Sequence, residues 1–101
     1  PHNYLRTNIF GESTMYGTIY QRKIRRLSVQ LIKMLLSYHV WQQNNDAVAM
    51  LALALTRKIG PLGAERIMNK HGYALQGCIW RAHVLVSADM AARARYQQHP
   101  V

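Results

Sequence analysis

An unbroken apolar run, Ala47 to Leu55, is followed at once by Thr56-Arg57-Lys58 and then by Gly60-Pro61-Leu62-Gly63; no other feature constrains the fold as much. The run is built mainly of Ala, Leu and Met, which are strong helix formers, and its alanine content disfavours a buried strand of equal length. A helix that is apolar on every side has to sit at the centre of a core. Asn44 or Asn45 suits its N-cap, Asp46 lies where the helix dipole favours an anion, and Arg57 and Lys58 lie where it favours cations. Gly60 suits the helix end and Pro61 the first turn of a new helix. The spacing therefore predicts a corner at Gly60–Gly63. A cationic helix over Ala64–Lys70 follows, with Ile67 and Met68 inward and a stop at His71-Gly72.

Upstream, Ile24, Leu27, Leu31, Met34, Leu35 and Tyr38 recur at helical spacing. They predict one helix over Gln21–Val40 with that stripe against the core and Val29, Ile32 and Leu36 as a second apolar surface. Downstream, Tyr73–Val86 fits two periods. Leu75, Ile79, Ala82 and Val86 keep helical spacing, while Cys78, Trp80, Ala82, Val84 and Val86 alternate as a strand would. Helix is preferred, because no second convincing strand is present to pair with it. Ser87 reads as the N-cap of a last helix over Ala88–Gln98, with Asp89 in its first turn. Residues Pro1–Tyr20 read as a tyrosine-rich, non-helical arm, with Met15–Tyr20 the stretch that suits an extended segment. The expectation is an all-α (mainly α), compact domain of four to five helices spanning 1–101. Residues 1–20 form the arm and 21–98 the helical body; an α+β arrangement with a short sheet is the alternative.

The single Cys78 excludes an internal disulfide, and no Cys/His spacing suggests a structural zinc site. No metal or cofactor is implied. The four acids are too few and too scattered for a two-metal nuclease centre. No apolar stretch reaches the ~20 residues of a membrane span, and the polar amino terminus is unlike a signal peptide. A cytoplasmic site of action fits these features. A start at Pro1 rather than Met also suits a domain cut from a larger, even secreted, polypeptide.

Charge carries the functional reading. Thirteen Lys and Arg against four acids give a formal net charge of +9. Such an excess favours a polyanionic partner, nucleic acid first, with an acidic protein partner or inhibitor as another class. Arg22, Lys23, Arg25, Arg26 and Lys33 would form an arginine-rich helix face suited to phosphate contacts, with Tyr16 and Tyr20 nearby as stacking platforms. Arg57, Lys58, Arg66 and Lys70 add charge around the glycine corner. That corner, Ile59-Gly60-Pro61-Leu62-Gly63-Ala64-Glu65-Arg66-Ile67, partly resembles the helix-hairpin-helix motif, in which a Gly-hydrophobic-Gly hairpin offers backbone N–H groups to a DNA phosphate. Two residues separate the glycines here where the motif has one, and Pro61 removes a donor. The resemblance implies that Gly60–Gly63 would approach phosphate; an ordinary interhelical corner is the competing reading. No placement satisfies a helix-turn-helix register.

A second functional class is a nuclease-type toxin domain working without metal, which needs an acid, a base and a cation. Of the five histidines, His83, two residues after Arg81, and His71 at a helix end are the candidates; a structural or surface histidine is the competing reading for each. Docking of a basic amphipathic Gln21–Val40 helix on anionic lipid is disfavoured, because a helical core would claim the same apolar face.

Overall fold

The computed structural model describes residues 15–97, which form four α-helices and, among the described residues, no strand. They are α1 (Thr18–Arg25), α2 (Val29–Trp41), α3 (Asn45–Lys70) and α4 (Leu75–Gln97). The helical expectation for Tyr73–Val86 holds, and the short-sheet alternative has no strand among these residues. Residues 1–14 of the expected tyrosine-rich arm lie outside the described residues, whereas Thr18–Tyr20, expected within an extended segment, already belong to α1.

The first half of α3 is the axle of the molecule. Every residue from Ala47 to Leu55 is buried, and α3 packs against each of the other helices. Asn44 caps it: its Oδ1 accepts from the Ala47 N–H at 3.2 Å, while its Nδ2 donates to the Tyr16 hydroxyl at 2.8 Å. The expected break is present at Gly60, where two helical segments of α3 meet across a kink. Gly60 has φ 86° and ψ 164°, a backbone that side-chain-bearing residues rarely adopt, and Pro61 restarts the helix with no N–H to offer. Pro61, directly after the kink, leaves one backbone donor fewer at the turn than the helix-hairpin-helix resemblance requires. His71 and Gly72 (φ 83°) end α3 as expected.

Among the described residues α3 alone is long and apolar enough to span a bilayer by length and composition, but it is two helical segments joined at Gly60, and 56% of its most apolar window is buried inside the molecule.

The helix expected over Gln21–Val40 is broken. Arg26 caps the end of α1, and Ser28, in an extended conformation, caps α2 by accepting the Leu31 N–H on Oγ at 3.2 Å. The break changes which face of α2 meets the core. Ile32 and Leu36 are fully buried, while Leu31, Met34, Tyr38 and Trp41 stand 47–77% exposed. The second apolar surface of the sequence is thus the packed one on α2, while half of the expected stripe (Leu31, Met34 and Tyr38) is exposed and Ile24, Leu27 and Leu35 stay against the core.

The separate carboxyl-terminal helix starting at Ser87 does not exist; α4 runs through it. Asp89 is therefore not a first-turn residue. It is fully buried and caps α1 from a distance, its Oδ2 accepting the Thr18 N–H at 2.8 Å and Arg93 Nε at 3.1 Å. A negative group at the start of α1 suits that helix's dipole. Gly17 permits the approach, since a Cβ there would lie 2.5 Å from Asp89 Cγ.

Candidate nucleic-acid interface

The nine cations Arg22, Lys23, Arg25, Arg26, Lys33, Arg57, Lys58, Arg66 and Lys70 are all exposed. They do not form one face. The break at Ser28 separates Lys33 on α2 from the four cations of α1, and Arg66 and Lys70 lie beyond the Gly60 kink. Three of them converge all the same. Arg22 and Arg25 of α1 and Arg57 of α3 share a cleft of about 130 Å³ with His83 of α4.

The cleft is built from the core outward. Leu53 and Val86 give it an apolar base, and Thr18 lies at its α1 end. Gln21, 3% exposed, is its polar anchor. Its Nε2 donates to the Met50 carbonyl oxygen at 3.1 Å, fixing α1 to α3, and its Oε1 accepts from Arg25 Nε at 3.3 Å. A guanidinium held by Nε keeps its four terminal N–H donors for another acceptor. Arg25 is thus oriented by a buried side chain before any ligand arrives.

Two of the three acids among the described residues, Asp46 and Asp89, are engaged elsewhere. Asp46 pairs with Arg81 through two bonds, Oδ1 to Nε at 2.9 Å and Oδ2 to Nη2 at 3.3 Å. Asp89 is committed to Thr18 and Arg93. Burial pushes the Asp89 carboxyl up, but the Thr18 N–H and Arg93 outweigh it and hold it below the ordinary carboxylate range. Thr18 Oγ1 and Asp89 Oδ1 have no partner of hydrogen-bond geometry, so the backbone N–H is the firmest of these contacts. Among the described residues, no acid forms an ion pair with Arg22, Arg25 or Arg57.

The three residues considered for catalysis are not brought together. Arg81 lines a different pocket, about 330 Å³, with Asn45, Ala49, Tyr73, Gly77 and Cys78, and its guanidinium is neutralised by Asp46. His83 faces the cationic cleft, and His71 is the C-cap of α3. Cys78 is buried, which raises its thiol pKa and suits a core residue better than a nucleophile. No group of three His, Cys, Asp or Glu side chains that could hold a metal stands among the described residues.

Tyr16 and Tyr20 are packed on the core rather than offered as stacking platforms. Their rings meet edge to face at 4.9 Å, and burial, with Tyr16 adding to it, pushes the Tyr20 hydroxyl up to about 12. The grouping of His83, Gln21, Leu53 and Val86 with the arginines left no local trace in the sequence. Their meeting depends on how three helices pack. Comparison with protein families, with curated protein sequences and with solved structures gave no match.

Proposed function

We propose that this protein binds nucleic acid, RNA or DNA, through its exposed cations, with the α1/α3/α4 cleft as the anchoring point. The observation that supports the reading is the meeting of Arg22, Arg25 and Arg57 in one cleft, where no acid among the described residues forms an ion pair with them. Guanidinium forks match phosphate oxygens, and an arginine with no internal partner loses little by taking one up. The net charge of +9 adds long-range attraction for a polyanion. A cytoplasmic site of action accords with this role.

The test is binding of single-stranded RNA and duplex DNA by fluorescence anisotropy across a salt series. Affinity should fall linearly on a logarithmic plot against salt, with a slope near −0.7 to −0.9 per phosphate neutralised. Absence of binding at low salt, or a flat salt response, overturns the reading. The same mixtures run on a denaturing gel address the metal-independent ribonuclease alternative. There His83 beside the arginines would be the group to remove, and intact RNA after long incubation argues for a binder.

A further inference from the structure

We infer that the α1/α3/α4 cleft is a seat for a phosphomonoester, the terminal phosphate of a nucleic-acid strand, rather than for an internal phosphodiester; this rests on the nucleic-acid reading above. Two observations point to a monoester. The first is charge: Arg22, Arg25 and Arg57 bring three fixed positive charges to one place. A monoester carries about −1.5 to −2 at neutral pH, against −1 for a diester. Its three non-bridging oxygens can also accept bidentate pairs from more than one guanidinium.

The second is size. A cleft of about 130 Å³ falls well below the ~300–1,000 Å³ of pockets that enclose drug-sized ligands. It admits a phosphate group and leaves a nucleoside outside. Leu53, Val86 and buried Gln21 line it beside the arginines. Arg25, held by Gln21 at 3.3 Å, is the preoriented donor, and Arg22, Arg57 and His83 surround the remaining oxygens.

The experiment uses the full chain and one short single-stranded oligonucleotide made in three forms: 5′-phosphorylated, 3′-phosphorylated and hydroxyl at both ends. One phosphorylated form should bind roughly tenfold more tightly than the hydroxyl form, as expected for charged hydrogen bonds gained at one group. R57Q and R22Q should each abolish that preference, weakening the phosphorylated form more than the hydroxyl form until the two bind alike. Both side chains are exposed, and unchanged thermal melting of each variant verifies folding. Equal affinity for all three forms overturns the monoester seat while the nucleic-acid reading stands. If no form binds at low salt, that reading fails. The seat is then judged by titrating inorganic phosphate: backbone amide shifts confined to the residues of the cleft, lost in R57Q, support it, and their absence overturns it.

Discussion

Arginine has two fates in this molecule, and they fall in different regions. Along α4, Arg81 and Arg93 each face an acid, Asp46 at 2.9 Å and Asp89 at 3.1 Å. In the cleft between α1, α3 and α4, Arg22, Arg25 and Arg57 lie with His83 and the Gln21 carboxamide and, among the described residues, pair with no acid. Paired arginines hold helices together; unpaired ones raise the local potential and have donors to offer. With so few acids in the chain, where the acids sit decides which cations remain available. Position, more than total charge, decides which arginines are paired.

The largest effect should come from the paired side. Asp89→Ala removes the carboxylate that accepts the first N–H of α1 and should lower stability by about 2–3 kcal/mol, read by urea or thermal unfolding. Gly17→Ala, whose new Cβ would collide with the same carboxylate, should cost about 1–3 kcal/mol by displacing it. Near wild-type melting of both variants would remove the distinction between the two regions.

The double variant R22Q/R57Q probes the other side. Oligonucleotide affinity at low salt should fall about tenfold or more, and the salt slope should shrink by nearly two phosphates' worth. Stability should stay within about 0.5 kcal/mol, as expected for exposed residues outside any pair. A loss of stability equal to that of Asp89→Ala would show that these arginines are structural as well.

Asp46→Asn should do little by comparison. Its pair with Arg81 is 37–45% exposed, so the expected cost is about 0–1 kcal/mol. Freeing Arg81 should leave the preference for a phosphorylated end unchanged, because that side chain lines the other pocket.

The smallest effect is a matter of pH. Burial holds His39 below its ordinary 6.5, so the unfolded chain takes up that proton first. Its contribution to stability is complete above about pH 6.5 and declines as pH falls below that. Asp89 is depressed, so its contribution is complete above its ordinary value of 3.8 and is lost as pH falls through the lowered native value. Unfolding followed from pH 8 to 2 should weaken in two stages, the first missing in His39→Gln and the second in Asp89→Asn. A single transition unaffected by either substitution would mean that neither group is linked to folding.

Much of the helical frame is legible without coordinates. The all-round apolarity of Ala47–Leu55 leaves no exposed face to choose, so its burial follows. Asn44, Gly60-Pro61 and His71-Gly72 mark boundaries by backbone chemistry that acts locally. The two serines show the limit. Ser28 caps α2, whereas Ser87, preceding an acid in what looked like a first turn, sits inside α4. Helical spacing runs in phase across Ile24, Leu27 and Leu31, so periodicity alone could not reveal the break. Which serine ends a helix depends on whether the chain must turn there to bury its next face, and that is settled by the neighbours.

The site was legible in kind but not in arrangement. Composition identified the exposed cations and the deficit of acids, since charge of this excess cannot be neutralised within the chain. It could not show that Arg57 and His83 join Arg22 and Arg25 while Lys33 is parted from them, or that Asp46 neutralises Arg81. By itself the sequence determined an all-helical frame around one apolar helix and a surface rich in cations, because propensity, capping and net charge are local or additive. Only the tertiary structure decided which face of α2 is buried, which acid meets which arginine, and that three helices enclose a cationic cleft. Those outcomes depend on distances between residues far apart in the chain, which only packing fixes.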